Sequence, residues 1–248
     1  MRTAQHVVRV RARGQSMVEF IVILPTLLLL TLGIIQFAQI YIAKNTLDLA
    51  AFEGVRAGTL NNAKVGAIKC GIAQGLLPLY GGNETPSVSG TAGAAIACGF
   101  ALAGPLRYIA AFSKAFVAVD NPVPGASDYG AMDLNVLNPT AADFDAFGET
   151  IANQQQIPNS RLMWRSTTIN SGAGMNIQDA NLLMIRVQYC YPMDVLFIKQ
   201  IVQGLAIGAD KMINTQTTFG TECYTSGGVP LVAQTTMLMQ SPAYPPSG

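Results

Sequence analysis

Phe20-Ile-Val-Ile-Leu-Pro-Thr-Leu-Leu-Leu-Leu-Thr-Leu-Gly-Ile-Ile-Gln-Phe37 decides how this chain is built, because no charged residue interrupts it and the uncharged stretch runs on to Ala43. About 20 apolar residues cross a bilayer as a helix, so the segment is long enough to span one. Upstream, Arg2, Arg9, Arg11 and Arg13 stand in a leader without a single acid. That asymmetry places the N-terminus in the cytoplasm and the chain from about residue 45 onward outside. A cleaved secretory signal would have a shorter apolar core and a small-residue cleavage site close behind it, which this run lacks. A buried helix of a soluble protein seldom goes so long without a charge behind an arginine cluster.

The whole composition agrees with export. Charged residues are 12% of the chain and hydrophobic ones 50%, a low share of charge for a soluble protein. The formal net charge is +1, but without the four leader arginines the fifteen basic residues fall to eleven, against fourteen acidic ones. No basic face is left for nucleic acid, and none is expected as a partner. The four cysteines, Cys70, Cys98, Cys190 and Cys223, are far apart and contain no C-x-x-C pair, so zinc spacing is absent. In an oxidising compartment they read as two disulfides, with buried free thiols as the alternative. Three pairings exist. The sequential one, Cys70 with Cys98 and Cys190 with Cys223, is favoured and would stabilise by roughly 3–4 kcal/mol per bridge.

Glu19 is the misfit at the edge of the apolar run. A carboxylate in lipid costs a few kcal/mol unless it is paired, whereas at headgroup level it would meet the positive end of the helix dipole. A cut after Gly14 would create an α-amino group on Gln15, four positions before Glu19. Pro25 denies Ile21 its helical hydrogen bond and favours a kink. Membrane helices nevertheless tolerate residues such as Pro25 and Gly33.

These residues carry a resemblance. Arg13-Gly14-Gln15-Ser16-Met17-Val18-Glu19-Phe20, followed by a Pro25-containing apolar helix, resembles the opening of the TadE-like family, itself similar to the prepilin pattern. Gln36-Phe37-Ala38-Gln39-Ile40-Tyr41 and Leu49-Ala50-Ala51-Phe52-Glu53-Gly54-Val55-Arg56-Ala57 resemble its helix continuation. The resemblance implies a pseudopilin or minor pilin that helps assemble a Flp, type IVb-like pilus of the tight-adherence system. It implies Gly14 as the peptidase recognition residue, Gln15 as the new N-terminus, and Glu19 as the processing or assembly carboxylate. Phe20, Pro25, Gly33 and Arg56 would serve helix assembly. The implied partners are inner-membrane lipid, a prepilin peptidase, other pilins or pseudopilins and the assembly platform. The implied location is the bacterial inner membrane, with a single pass and a periplasmic C-terminal domain, and possible entry of the subunit into an extracellular pilus. Major pilins of this system favour tyrosine after the glutamate, where Phe20 stands, which argues for a minor role.

The fold expected is α+β: a long helix with a membrane half and an exposed half, then an extracytoplasmic domain with an antiparallel sheet, pilin-like in outline. Residues 1–14 form the leader, 15–57 the helix and its extension, 58–240 the outer domain and 241–248 a disordered Pro-rich tail. The helix should run from about Ser16 to Ala57, pause at Gly58 and resume from Asn61 to Leu77 before Pro78 and Gly81-Gly82 stop it. Gly81 to Gly99 reads as loop and Pro105 to Val117 as helix. Residues 119–140, rich in Pro, Gly, Asn and Asp, read as irregular surface, and Ala141 to Gln155 as helix. The clearest strand is Leu183 to Pro192, with Ile185, Val187, Tyr189 and Tyr191 on the core side and Cys190 on the other, wet side, where Cys223 could reach it from a covering loop. Arg161–Ile169 and Val229–Met239 are weaker strand candidates, and Asp194–Gly204 a connecting helix.

Catalytic chemistry is poorly provided for, and no enzyme, cofactor or metal is expected. His6, the only histidine, lies in the leader, which removes Ser-His-Asp, Cys-His and histidine–metal sites from the outer domain. Asp143, Asp145 and Glu149 resemble the start of a calcium loop, but Phe147 and Gln154 occupy two ligand positions. No phosphate loop or dinucleotide fingerprint occurs. Trp164, Tyr189 and Tyr191 read as core more readily than as a groove, and Met237 and Met239 as packing. The competing functional readings are a binding module on a generic signal anchor, and an anchored hydrolase with converging acids.

Overall fold

A computed structural model describes residues 15–81, 98–99, 106–125, 130–193, 204 and 218–245. The long helix, α1, runs from Gln15 to Leu60 without a break at Pro25 or a pause at Gly58. At 1.5 Å per residue it is about 69 Å long. Asn62 and Ala63, both at positive φ, turn the chain back. Helix α2, Val65–Gly75, then returns alongside the upper part of α1. Pro78, expected to stop this helix, instead lies at the start of a short one, α3, Leu77–Tyr80, where its missing N–H costs nothing. Helix α4, Leu106–Asp120, follows as expected and is slightly longer.

A three-stranded antiparallel sheet completes the core. Its order is β1 (Ala131–Asn138), β4 (Leu182–Pro192), β5 (Gly228–Leu238), with Val187 opposite both Leu134 and Ala233. Strand β4 is therefore central; the alternation predicted a strand with one core side, and its place between two neighbours is what the fold adds. Residues Val229–Met239 are confirmed as strand, within one residue at each end. Residues 131–138, expected as irregular surface, form an edge strand. Met132, Leu134 and Val136 alternate with Asp133 and Asn135, a period-two pattern hidden between Pro124 and Pro139.

The expected helix over Ala141–Gln155 is only half right. Helix α5 covers Ala141–Phe147, and its start is fixed by Asp143, whose carboxylate accepts from the Thr140 backbone N–H at 2.6 Å and the Thr140 hydroxyl at 2.7 Å. Beyond Gly148 the chain forms a small hairpin, β2 (Glu149–Ile151) with β3 (Gln154–Gln156), turned by Ala152 and Asn153 at positive φ. Residues Arg161–Ile169 are not a strand. Arg161 sits in the left-handed region and Leu162–Trp164 makes a single 3-10 turn. Helix α6, Ile177–Ala180, leads into β4, and α7, Thr218–Ser226, into β5. The connecting helix expected at Asp194–Gly204 lies outside the described residues except for Gly204, as do the leader with Gly14 and His6, and most of Gly81–Gly99.

Both disulfides are sequential, Cys70–Cys98 and Cys190–Cys223. Cys190 points away from Ile185, Val187 and Tyr189, as its alternation requires, but that end of the outer face is not wet. Helix α7, rather than a loop, covers it, and Ala131, Cys190, Phe219 and Cys223 form a second small core. Gln188 is buried there as well.

The main core lies between the upper half of α1, helices α2 and α4, and the inner sheet face. Its tightest seam is helix on helix. Ala50, Gly54 and Gly58 on α1 recur every four residues; Gly75 of α2 meets Ala50, Gly71 of α2 meets Gly54, and Gly58 makes room for Ile68 and Leu183. A Cβ on Gly75 would lie 2.4 Å from the Ala50 Cα, and one on Gly71 2.6 Å from the Glu53 carbonyl oxygen. Small residues at this spacing let two helix backbones approach closely. The upper part of α1 belongs to this core, with Leu47, Ala50, Ala51 and Val55 fully buried in it beside residues of the sheet.

Residues Ser241–Tyr244, the expected beginning of a disordered tail, are fastened to the end of α1. The Thr59 carbonyl accepts from Gln240 N, Ser241 N and Ser241 Oγ, the Asn62 amide donates to the Pro242 carbonyl, and Ala243 pairs with Ile157. The bonds to Thr59 satisfy one of the carbonyls that a helix end leaves open.

Tyr80 and Tyr189 share a buried hydrogen bond of 2.8 Å between their hydroxyls. Burial raises both pKa values above the ordinary 10.0. Tyr189 is pushed up to about 12, the hydrogen bond from Tyr80 partly opposing the rise.

Two outcomes follow for stability. Gly75→Ala should destabilise the detergent-solubilised protein by about 1–3 kcal/mol, whereas Gly66→Ala, which meets nothing within 4 Å, should change it by less than about 1 kcal/mol and toward greater stability. Thermal unfolding of the two variants checks the seam. For the tyrosines, the neutral form is preferred in the fold, so their contribution is intact below pH 10. It declines as pH rises from there towards 12, where only the unfolded chain ionises freely. Tyr189→Phe should flatten that decline in stability measured against pH.

Candidate membrane and assembly helix

Helix α1 changes character at Ala43. Above this residue one side is buried in the core. Below it, large apolar side chains stand in the open, with Phe20 62%, Leu28 51%, Ile34 62% and Phe37 67% exposed. Only 6% of the most apolar stretch is buried, which separates this helix from the central helix of a soluble fold. A contiguous apolar surface of this size is not stable in water. From Phe20 to Ile42 the rise is about 33 Å, close to the ~30 Å of a hydrocarbon core. The geometry is that of a helix long and apolar enough to cross a membrane once.

The borders of this segment are polar. At the upper one, Lys44 and Asp48 form an i,i+4 ion pair one turn above Ile40. At the lower one, Glu19 stands exposed in the first turns of α1, which opens at Gln15, and Phe20 follows it on the apolar surface. Pro25 lies within the unbroken helix, and Gly33 is half-buried. Leu32, Gly33, Gln36 and Ile40 prolong the buried stripe of Ala43 and Leu47 downward at helical spacing. Gln36 is 1% exposed and both of its amide atoms lack a hydrogen-bond partner. Sequence reasoning passed over Gln36, whose signal was its polarity within an apolar run.

Arg56 lies far above Glu19, on the outward side of α1, with a loose 4.0 Å contact to Glu53. It borders a shallow groove of about 300 Å³ lined by Phe52, Arg56, Thr59, Leu60, Met237 and Gln240. Thus the structure puts Glu19, Phe20, Pro25 and Gly33 in the membrane half and Arg56 at the distal end, rather than gathering them into one site. The cysteines serve the outer domain. Among the described residues no group of three His, Cys, Asp or Glu side chains could hold a metal ion, and Asp143 is occupied as a helix cap. Tyr189 and Met239 are buried, as expected of packing residues, while Tyr191 and Met237 pack partly buried against the core. Trp164 is not a core residue. It is 85% exposed, because the segment that carries it turns instead of pairing as a strand.

The TadE-like protein family matches residues 14–56, from the glycine before α1 to the arginine near its end. No curated protein and no solved structure matches the chain.

Leu29→Arg combined with Ile34→Arg should abolish stable insertion, since each arginine near a helix centre costs about 2.5–3.5 kcal/mol. Alkaline extraction of membranes should leave the unaltered chain in the pellet and release or aggregate the double variant.

Proposed function

We propose that this chain is a membrane-anchored pseudopilin or minor pilin that acts in assembly of a Flp, type IVb-like pilus of the tight-adherence system. One observation carries the reading: an apolar helix without a core to face, opening with Glu19, is continuous with the helix on which the outer domain is built. The family match to residues 14–56 supports the pilus context. In this reading the leader stays cytoplasmic, a prepilin peptidase cuts after Gly14, and Gln15 becomes the first residue.

Glu19 then neutralises the new α-amino group, of its own or a neighbouring subunit, where charge is least tolerable. The outer domain lies in the periplasm, which suits its two disulfides. Pilus subunits and the assembly platform are its partners, and its role is structural, not enzymatic. The absence of histidine outside the leader and the use of all four cysteines in disulfides support that assignment.

Intact-mass measurement of the membrane-extracted protein tests the proposal. A mature chain beginning at Gln15, with Glu19→Ala impairing processing or pilus formation while the outer domain stays folded, is the expected result. A chain beginning at Met1 whose Glu19→Ala variant supports normal pili would overturn it. Full function after residues 17–43 are exchanged for an unrelated anchor would favour a merely tethered binding module.

A further inference from the structure

The described tyrosines are unevenly placed along the molecule. Helix α2 descends as α1 rises, since Gly75 stands beside Ala50 and Gly71 beside Gly54, and α3 follows it, still touching α1. Tyr80 closes α3 five residues past Gly75, about 7 Å of helix lower, which brings it near the level of Lys44. Its hydroxyl bonds that of Tyr189 at 2.8 Å. Strand β4 also descends: it starts near Gly58, where an added Cβ would strike Leu183, and passes through Tyr189 to Tyr191. The Cys190–Cys223 bond draws α7, with Tyr224, to the same end.

Helix α4 carries a further tyrosine to this level. Its end is fixed beside α2 by the Lys69–Asp120 ion pair of 2.7 Å, and it packs on α3 as well as α2, so it rises in the direction of α1. Tyr108 stands twelve residues before Asp120, about 18 Å of helix. The same rise separates Lys44 from Arg56, and Arg56 is where the α1–α2 offset sets Lys69. Tyr108 is 47% exposed, and Tyr41, one turn below Lys44, 68%. Among the described tyrosines only Tyr244, whose backbone N–H bonds the Asn62 carbonyl, lies at the far end. A tyrosine has an apolar ring and a polar tip, and such side chains favour the border between hydrocarbon and water. Here they collect where the open apolar surface of α1 gives way to the core.

We propose that the lower end of the outer domain is a second membrane contact, resting in the headgroup layer of a phospholipid bilayer with Tyr41 and Tyr108 as its interfacial anchors. The inference rests on the membrane-anchored reading. The surface is continuous with the apolar run of α1, and the ion pair of Lys44 with Asp48 neutralises the charge of α1 at this border, so the fit is through amphipathic side chains. Two anchors on separate helices hold more than depth. Tyr41 sets how far α1 sinks, and Tyr108, standing off its axis, sets the tilt of the whole molecule.

The test uses the full chain in phosphatidylcholine vesicles, with Trp164→Phe and a single tryptophan supplied by Tyr108→Trp, by Phe37→Trp in the apolar run, or by Tyr244→Trp at the far end. Lipids brominated in the acyl chain quench an indole that they touch. The expected result is loss of most emission with Phe37→Trp, loss of part with Tyr108→Trp, greater for bromine near the headgroup than near the chain end, and full emission with Tyr244→Trp. Circular dichroism and intact disulfides establish that each variant is folded. The unaltered chain gives a second readout: a phosphatidylcholine with a photoreactive headgroup should label the chain around Tyr41 and Tyr108 and spare Tyr244. Emission retained with Tyr108→Trp as fully as with Tyr244→Trp, or no lipid label around Tyr108, overturns the headgroup contact alone, provided that Phe37→Trp is quenched. Emission retained with Phe37→Trp sinks the anchored reading and the contact with it.

Discussion

The contact of Ala50 and Gly54 on α1 with Gly75 and Gly71 on α2 brings two helix backbones together closely enough that an added methyl group would strike backbone atoms. Ile68 and Ile72, one turn away on α2, are thereby pressed against α1 and the sheet, and α1 is fixed as one wall of the core. Because the helix is rigid and continuous, fixing its upper half also fixes the direction of its lower half. The apolar residues below Ala43 project from the folded domain with nothing comparable to pack against. The core thus aims the membrane segment.

That coupling gives one helix two kinds of surface. In its upper half, charges such as Asp48, Glu53 and Arg56 occupy the side away from the core, while small and branched residues occupy the other. In the lower half no such division exists, because large apolar residues cover most of the surface, as suits a helix that fits a single-pass membrane anchor. The disulfides act elsewhere. One ties Cys98 to α2, and the other ties α7 to β4. With loops of 28 and 33 residues, each removes enough freedom from the unfolded chain to be worth about 3–4 kcal/mol. That is a large share of the 5–15 kcal/mol by which folded domains are stable.

The distal end gathers the features that sequence alone left scattered. The Thr59 carbonyl at the end of α1 is satisfied by Gln240 and Ser241, which follow β5. The same closure brings the end of β5 and the Ile157–Ala243 bridge to the end of α1. A groove arises there as a by-product of how the helix end is capped. Its residues are separated by more than a hundred positions, so no local pattern joins Arg56 to Met237.

Sequence by itself determined the elements whose cause is local. The uncharged run from Phe20 to Ala43 made α1, the alternation from Ile185 to Tyr191 made the central strand, and the glycine and glutamate around α1's start marked the family resemblance. Strand β1 was equally legible in Met132, Leu134 and Val136 but was obscured by its neighbouring prolines. Thr140 and Asp143 announced α5, while the hairpin after it depended on left-handed Ala152 and Asn153. Tertiary structure alone decided that Trp164 faces water, that Ser241 to Tyr244 are bound, and that Cys190 is covered by a helix. The physical reason is the same in each case: exposure depends on what else arrives at a place, and partners distant in sequence leave no periodic trace of their arrival.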